Sequence, residues 1–181
     1  MSFKNDTQRK AVMALLRSQA LQTRRWAERV QKVKPGSERV FDDRFGKDLS
    51  GFCLRASARL AHQLEKRGIR TKIVLASGGG GWGGQHAYVI ARNHILDVTA
   101  TQFKGPKVRV LPYKRARRVN DIGQTADYYR GSGGEGWGRT YTYPGSVAHT
   151  KRFRRNIQRQ GWAEGTPIPA DFKRFNKKAY K

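Results

Sequence analysis

Apolar positions return every three or four residues through the first part of the chain. Val12, Leu15, Leu16, Gln19 and Ala20, then Trp26, Val30 and Val33, form one stripe between Asp6 and about Val33, with Arg and Lys on the other face. That spacing predicts an amphipathic helix capped by Asp6 or Thr7 and ended by Pro35-Gly36-Ser37. The stripe is modest, which fits a helix packed on a domain better than one lying on a membrane surface. A second helical stripe, Leu54, Ala58, Ala61 and Leu64, begins after a mixed connection over 37–50, with Ser50 or Gly51 as the expected N-cap. Arg55, Arg59, Gln63 and Lys66 fill its wet face, and Gly68 supplies the helix end.

The period then changes from helical to alternating. Thr71 to Ala76 predicts a strand, Ser77 to Gln85 a loop with six glycines around Trp82, and Tyr88 to Arg92 a second strand. Asn93 marks a turn and Ile95 to Thr99 a third strand, so the middle third reads helix, strand, long loop, β-hairpin. Beyond Phe103 the pattern weakens. Val108 to Leu111 and Arg139 to Tyr143 read as strands, Asn120 to Tyr129 as a short helix, Ala148 to Gln160 as a basic helix, and Pro167 onward as an irregular basic tail. A second Gly/Trp-rich loop over 131–138 is too short to make an internal repeat with the first. The expected class is α+β. It divides into an N-terminal helix (1–36), a core with a helix on a small antiparallel sheet (37–145), and a basic C-terminal extension (146–181).

Composition narrows the classes. The chain has 181 residues, 37% of them hydrophobic, with four Trp, which is enough for a real core and too aromatic for a fully disordered basic protein. No run of 18 apolar residues occurs, and the start at Lys4-Asn5-Asp6 is polar, so neither a membrane span nor a secretion signal is expected. One cysteine excludes an internal disulfide framework and fits a reducing, cytoplasmic setting. Net charge is +25, and residues 104–181 carry 19 Lys and Arg against 5 acids, a local +14. Such a field draws polyanions, whether nucleic acid, an anionic membrane surface or an acidic protein.

The chemistry concentrates between Gly51 and Phe103. Cys53 opens a helix, where unpaired backbone N–H groups and the positive end of the helix dipole favour thiolate and can hold an oxyanion. Alone it reads as a small buried hydrophobe. Asp97 alters that balance, because an acid within Ile-Leu-Asp-Val needs a partner. In a hairpin turning at Arg92-Asn93 with an even register, His86 and Asp97 share a face, opposite or diagonal. Cys53 as nucleophile, His86 as base and Asp97 as the group that orients it form a coherent thiol site. Thr99 could bond the carboxylate, although a Thr on a strand is ordinarily explained by β-propensity.

This stretch, Gly-Phe-Cys-x5-Arg-x4-Leu-x3-Gly followed by His-Ala-Tyr-Val and Ile-Leu-Asp-Val-Thr, resembles the transglutaminase-like cysteine-protease superfamily, the broad group with papain-type Cys-His-Asp sites. The resemblance covers about 50 residues. It implies a Cys-bearing helix on an antiparallel sheet and a catalytic triad of Cys53, His86 and Asp97. The implied activity is attack on a protein or peptide amide through a thioester, without a cofactor. No upstream Gln or Trp completes an oxyanion hole, since Lys47-Asp48-Leu49-Ser50 is not such a site. Gln85 and the Gly78–Gly84 loop are the substitutes, with Trp82 as a substrate contact on a flap.

Other motifs are weaker. Gly79, Gly81 and Gly84 match Gly-x-Gly-x-x-Gly, but a strand and not a helix follows, and no Gly-Lys-Ser/Thr is present. His62, His86, His94 and His149 show no metal-ligand spacing with the single cysteine. Two basic clusters, Lys114, Arg115, Arg117 and Arg118, then Lys151, Arg152, Arg154 and Arg155, lie among Trp162, Phe172, Phe175 and Tyr180. They suit phosphate contact with base stacking, in a backbone-directed mode. Two readings therefore stand: a Cys-His-Asp amide hydrolase or acyltransferase, and a non-catalytic basic nucleic-acid-binding protein on the same scaffold. A virion- or nucleoid-associated protein would fit both.

Overall fold

The computed structural model describes residues 5–33, 52–77, 85–103, 106–113, 140–148 and 150–159. In chain order these form α1 (Asp6–Val33), α2 (Cys53–Glu65), β1 (Thr71–Ser77), β2 (Gln85–Ala91), β3 (His94–Asp97), β4 (Arg109–Pro112), β5 (Thr140–Pro144) and α3 (Lys151–Arg159), with single 3-10 turns at Ala100–Phe103 and Gly145–Val147. The strands make one antiparallel sheet in the order β4-β3-β2-β1-β5. The α+β class with helices on a small antiparallel sheet is as the periodicity predicts. The expected helix over 120–129 and the glycine loops at 78–84 and 131–138 lie outside the described residues.

Local chemistry fixes where the helices begin and end. Asn5, one residue before the expected cap, accepts the Gln8 N–H through its Oδ1 at 2.8 Å. Asp6 instead serves the first turn, pairing with Arg9 and Lys10 near the positive end of the dipole. At the end of α2, Gly68 takes φ +71°, with its N–H on the Glu65 carbonyl and the Ile69 N–H on that of Leu64. That is a Schellman closure, and Ile69 packs into the same core as Leu64. Arg92 and Asn93 both have positive φ, +49° and +59°, between the paired residues Ala91 and His94. They form the two-residue primed turn whose twist matches that of its strands.

All three described helices share one face of the sheet. Ala87, Val89 and Ala91 of β2, Ile73 and Leu75 of β1, and Leu96 of β3 meet Leu54, Leu60, Ala61 and Leu64 of α2 in one core. Leu16, Ala20, Trp26 and Ala27 of α1 and Phe153 and Ile157 of α3 join it, the last two beside Tyr143 of β5, whose ring meets that of Phe153 edge-on at 5.0 Å. The terminal helices therefore add to the same core as α2. Val74, Tyr88 and Ile95 form a smaller cluster on the opposite face.

Two arginines are not where amphipathic patterning puts them. Arg59, expected on the wet face of α2, is buried (6% exposed), with its guanidinium 4.2 Å over the Trp26 ring. Arg24 of α1 is buried (3% exposed), bonding the Val98 carbonyl at 3.1 Å, Thr101 Oγ1 at 2.8 Å and Glu28 at 2.9 Å. Helix-to-helix packing covers both, which a helical wheel drawn for one element does not show.

The crossing of β5 into α3 is tight. A Cβ on Gly145 would overlap the Thr71 hydroxyl and come within 3.1 Å of Glu65 Oε1. That carboxylate already accepts the Thr71 N–H at 2.6 Å and its hydroxyl at 2.9 Å. Gly145→Ala is expected to lower stability by about 1–3 kcal/mol, read as a fall in the urea midpoint with an unchanged m-value.

Candidate active site

The register of the β2–β3 hairpin builds the site. Val89 pairs with Leu96, which sets Tyr88 opposite Asp97 and His86 diagonal to it on the same face. The diagonal is closed by a hydrogen bond of 2.7 Å between His86 Nε2 and Asp97 Oδ2, with both side chains completely buried. The other carboxylate oxygen, Oδ1, accepts the Thr99 backbone N–H at 2.8 Å and the Thr99 hydroxyl at 3.2 Å. β3 ends at Asp97, so Thr99 lies beyond the strand, and its hydroxyl serves the carboxylate. This corrects the β-propensity account of that residue.

Cys53 is the first residue of α2 and is only 4% exposed. Its sulfur is near enough to the His86 imidazole to favour the protonated ring. Because Nε2 is taken by Asp97, Nδ1 is the ring nitrogen left for the sulfur. One turn further along α2, the Ser57 hydroxyl donates to the Ala87 carbonyl at 2.9 Å. That bond ties the helix of the thiol to the strand of the imidazole, one residue from His86. Ser57 carries no sequence signal beyond a small polar residue on a buried stripe. Phe52, not Ser50 or Gly51, is the N-cap of α2, and it gives the first turn no side-chain acceptor.

Electrostatics follow from burial. Desolvation by itself pushes the His86 imidazole down, but the Asp97 charge and hydrogen bond, helped by the Cys53 sulfur, outweigh it and raise the ring from its ordinary 6.5 to about 9. His86 is thus imidazolium at neutral pH. Tyr88, whose ring centre is 6.1 Å from that of His86, is pushed up chiefly by burial and further by its neighbours Tyr113 and Asp97, so it stays a neutral phenol. On the other side of β3, Arg109 of β4 stands opposite Asp97 in the strand register and is itself buried.

The remaining expected site residues separate cleanly. Gln85 opens β2, its side chain outside the described residues, and Trp82 also lies outside them, as do Lys114, Arg115, Arg117 and Arg118. Lys151, Arg152, Arg154 and Arg155 lie on α3, far along the chain from the triad and on its own surface stripe; Lys151, Arg152 and Arg155 are exposed and Arg154 is half-buried. Among the described residues, no three His, Cys, Asp or Glu side chains converge to hold a metal ion, and no helix is long and apolar enough to cross a membrane.

No protein-family model, curated protein or solved structure matches the chain. The site rests on its own geometry.

The raised imidazole has a signed consequence. Its stabilising contribution, on the order of 3 kcal/mol, is complete below about pH 6.5 and disappears as pH rises through about 9. NMR of the labelled ring is expected to give a midpoint near 9. In Asp97→Asn, where only the Cys53 sulfur still opposes burial, the midpoint should fall well below that of the wild type. A wild-type ring titrating at its ordinary value would remove the electrostatic basis of the site.

Proposed function

We propose that the chain is a cysteine-dependent amide hydrolase or acyltransferase that works through a thioester on Cys53, in the manner of transglutaminase-like cysteine peptidases. The observation that carries this is the run of hydrogen bonds from Thr99 through Asp97 to His86, with the Cys53 sulfur beside that imidazole. A structural cysteine has no use for an imidazole whose far nitrogen is held by a buried carboxylate.

The steps follow from those contacts. The Cys53 sulfur, its proton held by His86 as imidazolium, attacks the amide carbonyl carbon and forms the S–C bond. The oxyanion develops beside the positive end of α2, whose first turn Phe52 leaves without a side-chain cap. His86 then delivers its proton to the amide nitrogen, the C–N bond breaks, and the amine leaves. In the second half, neutral His86 takes a proton from the incoming nucleophile as that nucleophile attacks the thioester carbonyl. Collapse expels the Cys53 thiolate and regenerates the imidazolium pair. Water as nucleophile gives peptidase or deamidase chemistry, and an amine gives a crosslink. Asp97 keeps the ring oriented with Nδ1 toward sulfur and stabilises its positive charge. Since only 4% of Cys53 is exposed, residues covering the sulfur must move aside for an extended substrate.

Alkylation kinetics test the reading. Iodoacetamide is expected to modify Cys53 faster than a free thiol at pH 6–7, and His86→Ala to abolish that advantage. Iodoacetate, an anion drawn by the imidazolium, should react with a rate that declines through about pH 9, the point at which His86 loses its proton. An unreactive thiol in folded protein, or His86→Ala reacting as fast as wild type, would sink the proposal.

A further inference from the structure

We propose that the outer face of α3 is a docking site for the sugar-phosphate backbone of a nucleic acid, bound without regard to base sequence. This site is separate from the Cys53 chemistry and does not depend on it.

Four residues of α3, Arg152, Arg155, Asn156 and Arg159, line a single surface depression of about 270 Å3. They stand at i, i+3, i+4 and i+7, so they occupy one face of the helix. The opposite face carries Phe153 and Ile157, both buried in the core, which fixes the arginine row toward solvent. Among the described residues no carboxylate lies within ion-pair distance of Arg152, Arg155 or Arg159. Three exposed guanidiniums thus stand side by side with no described carboxylate to offset their mutual repulsion, in a chain of net charge +25. An anion in the depression relieves that repulsion.

The surroundings choose among anions. An amphipathic helix holds a bilayer through its apolar side, and the apolar side of α3 is already spent on the core. A protein partner ordinarily needs an aromatic or aliphatic anchor at the centre of its contact, and this row offers only guanidinium and amide groups. A phosphodiester backbone needs neither. Arginines three and four residues apart are about 4.5 and 6 Å apart along the axis, so the row runs about 10 Å. Phosphates of one strand follow each other at roughly 3.4 Å along a duplex, so three or four fall within that length. Guanidinium forks grip phosphate oxygens in pairs, and the Asn156 amide adds a neutral donor between them. Among the described residues no aromatic ring lines the depression, so the grip that these side chains offer is on the backbone.

The structure thereby refines the basic cluster read from sequence. Arg159 and Asn156 join Arg152 and Arg155, while half-buried Arg154, whose Nε is enclosed, drops out of the row.

The experiment compares full-length wild type with Arg152→Gln/Arg155→Gln/Arg159→Gln and with a charge-matched control, Arg17→Gln/Arg25→Gln/Arg29→Gln, whose side chains are exposed on α1. Fluorescence anisotropy with two unrelated 24-base-pair duplexes is read from 50 to 200 mM salt, with thermal midpoints confirming that all variants fold. Wild type should bind both duplexes alike, with affinity falling steeply with salt. The α3 variant should bind about tenfold or more weakly, with a log–log salt slope shallower by about 2–3, and the control should stay close to wild type. Equal losses in both triple variants would show that net charge alone is at work and overturn the site. So would salt-independent binding, or binding to phosphatidylserine vesicles or polyglutamate without binding to DNA. Cys53→Ala is expected to bind DNA as wild type does, so failure of the catalytic proposal and failure of this one give different results.

Discussion

A carboxylate withdrawn from water must have its lone pairs occupied, and around Asp97 the fold is arranged to do so. Two acceptor contacts on one oxygen come from Thr99 and one on the other from His86, all inside the protein. Removing a partner from such a buried pair typically costs about 3–5 kcal/mol, because the charge left behind has no solvent. The geometry that avoids this cost is set by three local devices. The primed turn at Arg92-Asn93 fixes the strand register, the end of β3 turns the chain so that Thr99 folds back on the carboxylate, and Arg24 bonds the Val98 carbonyl in that same bend. The imidazolium is a result of the arrangement. Once Asp97 is charged and enclosed, His86 gains a proton where burial alone would have taken it away.

The helices convert this pair into a site with a third member. α2 sits on β2 through Leu54, Ala61 and the Ser57–Ala87 bond, so its first residue is held at the imidazole. α1 then braces α2 by stacking rather than by hydrocarbon alone. Arg59 lies on Trp26, Trp26 meets Phe52 at 5.5 Å, and Arg55 lies over the Phe52 ring at 4.9 Å. An arginine-rich chain can use such layers because guanidinium is planar and weakly hydrated, and therefore packs against aromatic faces where an ammonium would not. Phe52 and Cys53 are neighbours in sequence, so the stack ends beside the sulfur.

What could be read from sequence was whatever depends on short-range order. Alternation of apolar residues gave the hairpin, and parity of spacing put His86 and Asp97 on one face. Gly68 announced the end of α2, and Cys53 stood where a helix had to begin. What could not be read depends on contacts between distant segments. Arg24 reaches residues more than 70 positions away, and Arg59 is buried only because Trp26 arrives from another helix. Thr99 was visible but ambiguous, since a hydroxyl on a strand and a hydroxyl folded back on a carboxylate look alike until the strand is known to stop at Asp97. The cap at Asn5 is hidden for a smaller reason: Asn, Asp and Thr at successive positions all have side chains able to cap, and only the Gln8 N–H distinguishes them.

The two-residue turn at Arg92-Asn93 also sets how this region can tolerate change in length. Strand faces alternate at every residue, so gaining or losing one residue between Ala91 and His94 would rotate everything downstream by half a period. Asp97 would then point to the helix side of the sheet and Leu96 to the side of His86. The hairpin would keep its ladder and composition while the acid and the imidazole parted. Side chains in the turn are therefore interchangeable within the limits of positive φ, whereas its length is not. Insertions and deletions are the class of sequence change to which this site is most vulnerable, although the turn touches none of the three reacting groups.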